Sequence, residues 1–188
     1  VAHHAQGALV QLGGRTLAEA AWPSLGGVVP TVTAEAFADD WQRIVLTWEV
    51  EPSIAQDALA IDFALKLAPD FWWAPHLAPS AGDCIAQHVF RSPALIAAEQ
   101  ATTLVVVPDL VHCGTRAGNP WFMDVDAPAR RWTLGMTQTT VPEHVRYAKA
   151  PGMVFEPGTV SLGFLVTAYE DTATPRNPWS RVSALLWE

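Results

Sequence analysis

Residues 159–169 read TVSLGFLVTAY, and this stretch decides the fold class of the chain. Successive side chains of a β-strand point to opposite faces of its sheet, so an apolar residue at every second position predicts a strand with one buried face. The apolar stripe consists of Val160, Leu162, Phe164, Val166 and Ala168. The stretch therefore predicts a long strand of an antiparallel sheet that packs on a second layer.

Other runs along the chain carry the same alternation. Residues 43–51 (RIVLTWEVE) and 59–67 (LAIDFALKL) place every second side chain on an apolar face, and Asp62 and Lys66 then lie on the opposite face of the second run. Residues 102–107 (TTLVVV) are β-branched or apolar throughout, which is typical of a strand buried on both faces. Further strand predictions cover residues 85–91, 121–125 and 182–187, and the alternation is weaker at residues 132–140 and 143–148.

Two segments have no clear strand pattern. Residues 93–103 (PALIAAEQATT) fit a short helix, because Pro stands at the first position and Ala, Leu and Glu follow, but the apolar run also fits a strand. Residues 1–30 are rich in Ala and Gly and are weakly patterned, with room for an edge strand.

Fifteen Pro and twelve Gly fall largely between the alternating runs. Many strands separated by frequent turn signals predict a sandwich or barrel. We therefore expect an all-β fold, a large antiparallel β-sandwich of the supersandwich type with at most one or two short helices. The length of 188 residues fits a single domain covering residues 1–188, which we expect to be a fragment of a longer multidomain protein.

Composition narrows the classes of partner. Only 16% of residues are charged, against about 25% in a typical domain. Together with nine Trp, this predicts either an unusually large core or a surface that another domain covers. A net charge of −8 argues against nucleic acid and against anionic membranes, and no apolar run is long enough to span a bilayer.

The two cysteines, Cys84 and Cys113, match no metal-binding spacing. Two buried free thiols are a simpler expectation than a disulfide between them. Because free thiols persist in reducing compartments, this expectation slightly favours a cytoplasmic location. The common catalytic and nucleotide-binding motifs are absent from the sequence, and we expect neither a cofactor nor a metal.

The densest aromatic cluster is FWWAPH, residues 71–76. In an extended chain neighbouring side chains face opposite ways, so Trp72 and Trp73 cannot both enter one core. An exposed indole stacks on the apolar face of a sugar ring and its N–H can donate to a hydroxyl, which makes both residues and His76 candidates for carbohydrate binding. The simpler alternative buries one Trp in the sandwich and the other under a loop or a neighbouring domain.

A second cluster, NPWFMDVD at residues 119–126, combines Trp121 with two carboxylates. Asp124 and Asp126 are two positions apart, so on a strand both point to the same face. This face is suited to accept sugar hydroxyls, to bind Ca²⁺ or to supply an acid–base pair, whereas a solvated strand face is the simpler alternative. Trp121, Asp124 and Asp126 complete the set of candidate carbohydrate-binding residues.

The segments FWWAPHLAP (71–79), QHVFRSPAL (87–95), PWFMDVDAP (120–128) and NPWSRV (177–182) carry a resemblance. Together they resemble the N-terminal β-sandwich of multidomain bacterial glycoside-hydrolase-like proteins, in which the sandwich precedes an (α/α)6 toroid. The resemblance implies that the catalytic carboxylates belong to the helical toroid, that this helical catalytic domain is the partner, and that the sandwich is not catalytic alone or adds only a loop to the rim of the active site.

The expected function is therefore that of an accessory domain of a carbohydrate-active protein, which supports a catalytic domain and contacts an oligosaccharide. One alternative is a small stand-alone barrel enzyme or metal-binding protein built on His76, His88 and His144, although no two of these have the spacing of a metal site on one element. A second alternative is a purely structural interaction domain.

Overall fold

A computed structural model describes residues 1–74, 83–85, 94–109, 111–112, 121–139 and 146–187, with the backbone alone at 83–85, 121, 139, 146–149 and 186–187. This part of the chain forms sixteen β-strands and one helix. The elements are β1 (Ala2–His4), β2 (Gly7–Leu12), β3 (Arg15–Ala21), β4 (Thr31–Ala36), β5 (Gln42–Val50), β6 (Ile54–Gln56), β7 (Ala58–Leu65), β8 (Phe71–Trp73), β9 (Asp83–Ile85), β10 (Leu95–Glu99), β11 (Thr102–Pro108), β12 (Trp121–Asp126), β13 (Arg131–Thr139), β14 (Arg146–Ala150), β15 (Met153–Phe155), β16 (Gly158–Glu170) and α1 (Ser180–Trp187).

Two antiparallel sheets pack face to face, which confirms the predicted all-β sandwich. Sheet I has eight strands in the order β1-β2-β3-β7-β13-β14-β9, with β12 also paired to β13. Sheet II has six strands in the order β4-β5-β16-β11-β10-β8, and β15 and β6 form a separate two-stranded ribbon.

Strand β16 lies in the middle of sheet II, between β5 and β11. Its even-numbered apolar side chains point into the core between the sheets, as the alternation predicts. There Phe164 packs edge-on against Phe63 of sheet I, with the ring centroids 5.4 Å apart. Phe63 in turn meets Trp132, and both are fully buried. Aromatic contacts between the middle strands of the two sheets therefore lie at the centre of the core.

The outer face of sheet II carries a second apolar cluster, which α1 covers. Odd-numbered residues of β16 belong to it, including Leu165 and Tyr169, and they pack with Val182 of α1. The Tyr169 hydroxyl donates to the carbonyl of Pro178, 2.9 Å away. Burial raises the pKa of the Tyr169 phenol above its ordinary value. The sandwich thus has a third layer, and this part of β16 is buried on both faces.

The prediction of a strand at residues 182–187 was wrong, because α1 occupies them. The start signal lies just upstream, where the Asn177 side chain accepts the Trp179 N–H at 3.1 Å. The Ser180 N–H also donates to the Asn177 carbonyl at 3.1 Å, so residues 177–180 form a turn that leads directly into α1. Val182 and Leu185, three residues apart, then place their side chains on one helical face against sheet II.

Two other segments are more regular than their sequences indicate. Residues 93–103 hold no helix in their described part; they form β10 and the start of β11, joined by a tight turn in which Gln100 has φ +54°. This turn normally favours Gly or Asn, so Gln hides the hairpin signal. The weakly patterned residues 1–30 form β1, β2 and β3, and β1 is the edge strand.

Ion pairing and backbone hydrogen bonds anchor the segment that leads into α1. The Asp70 carboxylate pairs with the Arg176 guanidinium at 2.7 Å and accepts the Gln100 backbone N–H at 3.0 Å. The Arg176 hydrogen bond, with help from the Gln100 N–H, holds the pKa of Asp70 below its ordinary value. Asp171 accepts the backbone N–H groups of Asn177 and Ala173, which lowers its pKa as well.

We expect Phe164→Ala to lower the free energy of unfolding by about 3–5 kcal/mol, because it leaves a cavity at the contact between the sheets. The matched control is Phe37→Ala, at a side chain that is 42% exposed, with an expected loss of less than about 1 kcal/mol. Equilibrium urea denaturation followed by circular dichroism measures both. Equal losses for the two variants would contradict the assigned core.

A second prediction concerns acid stability. A carboxyl group whose pKa is lower in the folded protein stabilises the fold above its ordinary pKa of 3.8, and this contribution is lost as the pH falls through the folded value. Asp70→Asn should therefore flatten the decline in stability below about pH 4. Arg176→Gln should remove the same pH-dependent contribution, so the double variant should show no additional flattening. If the free energy of unfolding of Asp70→Asn fell with decreasing pH as steeply as that of the unmodified protein, the Asp70–Arg176 pair would not contribute to acid stability.

Candidate functional site

The two tryptophans of β8 face opposite sides of sheet II. Trp72 lies against the central core, with its ring centroid 6.5 Å from that of Trp132. Trp73 lies on the outer face, 4.7 Å from Trp179 between ring centroids. Both indoles are partly buried, so neither is a free-standing platform. The arrangement agrees with the simpler alternative for this pair, one Trp in the sandwich and the other beneath the segment that leads into α1.

The Trp73–Trp179 contact brings together chain segments that are far apart in sequence. Trp73 belongs to segment 71–79 and Trp179 to segment 177–182. Ala94, in the described part of segment 87–95, belongs to the same apolar cluster as Trp73 and Trp179. The described parts of three of the four segments that carry the resemblance therefore meet at one edge of sheet II.

The carboxylates of β12 lie on the outer face of sheet I. Met123 and Val125 point into the core, which leaves Asp124 and Asp126 on the opposite side, as predicted. Asp126 is exposed and accepts the Ala129 backbone N–H at 3.0 Å. The two indoles of β8 and these two carboxylates consequently belong to different sheets.

A polar row runs across three strands at this position. Asp124 stands opposite Thr133, and Thr133 stands opposite Asp62. The Thr133 hydroxyl donates to Asp62 at 3.1 Å, and the Arg131 guanidinium lies 3.1 Å from the same carboxylate oxygen. We call Asp62, Asp124, Asp126, Arg131 and Thr133 the sheet I polar row. It offers carboxylate acceptors, guanidinium donors and a hydroxyl on one solvent-facing surface.

An open groove of about 540 Å³ adjoins the polar row. Asp62 and Arg131 line it together with His4, Gln6 and Glu19. Ala21 and Ala64 line it as well, so small apolar side chains adjoin the charged ones. The volume falls within the range of small-molecule sites, roughly 300–1,000 Å³. Nothing in the sequence alone joined Asp62 to Asp124, since only strand pairing brings residues 62 and 124 to one place.

A further polar cluster lies on the outer face of sheet II, where β11 ends. Asp109 is only 5% exposed, and its carboxylate lies 2.8 Å from both Arg43 Nε and His112 Nδ1. Arg43 also pairs with Glu35 at 2.9 Å. The Asp109 backbone N–H donates to the carbonyl of Gly163, which fastens the turn to β16.

The absence of a side chain at Gly163 allows the turn that holds Asp109 and His112 to pack closely against β16. A Cβ atom added there would meet His112 Cβ at 2.7 Å, closer than side chains tolerate. The His112 carbonyl accepts a hydrogen bond from Ser161 at 2.9 Å. The buried carboxylate therefore orients the His112 ring and neutralises Arg43. Sequence reasoning missed this cluster, because its members come from β5, β16 and the end of β11.

Several predicted site residues lie outside the described residues. These include His76, His88, His144 and Cys113, whereas Trp121 and Cys84 are described only in their backbone. Among described side chains, no group of three or more His, Cys, Asp or Glu is arranged to hold a metal ion. No helix in the described part of the chain is long and apolar enough to cross a membrane.

Comparison with known proteins identifies no relative of this chain. The sequence matches no protein-family model and no curated protein.

We expect Asp109→Ala to lower the free energy of unfolding by roughly 1–3 kcal/mol, because it removes the buried carboxylate that contacts both Arg43 and His112. The control is Asp40→Ala, which removes the exposed ion pair with Arg181 and should cost less than about 1 kcal/mol. Thermal and urea unfolding measure both. A loss at Asp109 no larger than that at Asp40 would show that the cluster contributes little to the fold.

Proposed function

We propose that this chain is an accessory β-sandwich domain of a carbohydrate-active, glycoside-hydrolase-like protein. In this proposal the domain supports a helical catalytic domain of the same protein and contacts saccharide through the outer face of sheet I. The sheet I polar row is the observation on which the saccharide contact rests.

The chemistry of the polar row fits sugar hydroxyl groups. A carboxylate accepts hydrogen bonds through two oxygens, and a guanidinium donates from a planar fork, so a pair of them can engage neighbouring hydroxyls of one ring. Asp62 and Arg131 line the 540 Å³ groove and belong to the polar row at the same time. A neutral polyhydroxylated ligand avoids the repulsion that the net charge of −8 would impose on an anionic one.

A separate observation supports the proposed role of the domain as a support for a catalytic domain. The described parts of three segments that resemble the glycoside-hydrolase-like sandwich meet around the Trp73–Trp179 contact. Helix α1 and the segment before it already cover part of the outer face of sheet II, and Trp41, Trp73 and Trp179 pack there, so part of the surplus Trp serves the domain itself. The low charge content of 16% supports a neighbouring domain on the remaining surface.

Direct saccharide contact can be tested by NMR titration of ¹⁵N-labelled protein with cello-, xylo-, malto- and chito-oligosaccharides. We expect shift changes concentrated at Asp62, Asp124 and Arg131. Asp124→Asn and Asp126→Asn should each weaken binding by about fivefold, since one hydrogen bond contributes about 1 kcal/mol.

The matched control for these variants is Glu49→Gln, which changes an exposed carboxylate on β5 of sheet II, where Glu49 accepts from Thr159 at 3.1 Å. It should leave the affinity unchanged. If no oligosaccharide shifts the polar row and tryptophan fluorescence is also unmoved, the proposed saccharide contact fails, and a supporting role without sugar contact is left.

A further inference from the structure

Strand β16 extends past its neighbour β5. The last β5 residue in the ladder is Gln42, which pairs with Val166, whereas β16 continues to Glu170 and pairs with β11 up to that residue. The β4–β5 hairpin closes just beyond this point, with Trp41 N–H donating to the Ala38 carbonyl at 2.7 Å. On the β5 side, residues 167–170 therefore face no strand among the described residues.

The backbone groups at this edge have a definite direction. The Gly163 carbonyl accepts from Asp109, which follows β11, so Gly163 points towards β11. Peptide groups along a strand alternate between its two neighbours, so even-numbered residues of β16 point towards β5. Ala168 and Glu170 thus direct their N–H and C=O groups into the place that β5 leaves vacant.

The vacant place is a groove of about 730 Å³. One wall carries Val10 and Leu12 of β2, and the other carries Trp41 and Tyr169. The floor between them is the edge of β16 from Val166 to Glu170. We call this the β16-edge groove. An extended segment placed in it would turn alternate side chains towards the apolar β2 wall and towards the opposite wall.

The charged groups of the groove are mostly acidic. Asp39, Asp40, Glu170 and Arg181 line it, and Arg181 pairs with Asp40 at 2.8 Å. Among described residues no cation pairs with Asp39 or Glu170. The charged side chains that line the groove therefore carry a net negative charge, which attracts a basic ligand and disfavours the same edge of a second copy.

We propose that the β16-edge groove binds an extended peptide that alternates apolar and basic residues. The peptide adds a strand to sheet II next to β16, with its backbone hydrogen-bonded to Ala168 and Glu170. Its apolar side chains lie against Val10 and Leu12, and its basic side chains lie on the opposite side, near Asp39 and Asp40. Strand addition to an exposed sheet edge is a recurrent mode of peptide recognition. This inference goes beyond the proposed saccharide contact and uses a different part of the surface.

The test uses the synthetic peptide acetyl-KVKVKV-amide against the ¹⁵N-labelled protein. We expect shift changes at residues 167–170 and at the Trp41 indole, together with slower hydrogen exchange of the Ala168 and Glu170 amides. The peptide acetyl-EVEVEV-amide should bind at least fivefold more weakly. A KVKVKV peptide with alternate amides N-methylated cannot form the ladder and should lose binding.

Variants of the protein separate charge from backbone pairing. Asp39→Asn and Asp40→Asn should each weaken KVKVKV binding by roughly two- to fivefold, the range of a partly exposed charge pair. Glu51→Gln, an exposed carboxylate beside the opposite end of β16, is the matched control and should have no effect. Ala168→Pro removes one groove-facing N–H and should abolish binding. The N-methylated peptide gives the same information if this variant fails to fold.

Each other outcome overturns the proposal. Equal affinity for the acidic and basic peptides would remove the role of charge, and unchanged binding of the N-methylated peptide would remove strand addition. Shifts at residues 167–170 caused by concentration alone would identify a second copy as the occupant. Shifts there on addition of oligosaccharide would identify a sugar site instead. No binding of KVKVKV at millimolar concentration would also exclude the proposed peptide.

Discussion

The edge-on contact between Phe164 and Phe63 joins the two sheets at their middle strands, and the other layers depend on it. Because Phe164 points inward, its odd-numbered neighbours must point outward, and Leu165 and Tyr169 are apolar or aromatic. An outward apolar face needs a cover, and α1 supplies it. A single strand thus determines both the central core and the need for a third layer.

Alternation predicts the strands that have one buried face and fails for those without one. Residues 59–67 alternate cleanly because their second face meets solvent, and most of them form β7. Every residue of β4 is exposed or partly exposed, so it has no apolar stripe to detect. Helix α1 was mistaken for a strand because eight residues are too few to distinguish the two periods. The Asn177-Pro178 pair just upstream favours a turn, and that turn leads into α1.

The candidate sites show a different limit. The sequence correctly placed Asp124 and Asp126 on one face, because two residues on one strand share a face by geometry. It could not join them to Asp62, or join Asp109 to Arg43, because those neighbours depend on strand order and register. A residue's partners in a sheet come from distant parts of the chain, and no local pattern records them. The sites therefore require the structure even though the fold class does not.

The architecture also explains where a sandwich of this kind has surface left for binding. The inner faces of both sheets are used by the core, and part of the outer face of sheet II is covered by α1. Among the described residues, the surface left includes the polar part of the outer face of sheet I around Asp62 and Asp124, and the strand edges. A polar face presents side chains and suits ligands rich in hydroxyl groups, whereas an edge presents peptide groups and suits another backbone. The polar row and the β16-edge groove thus differ in the chemistry they offer, because one is made of side chains and the other of main chain.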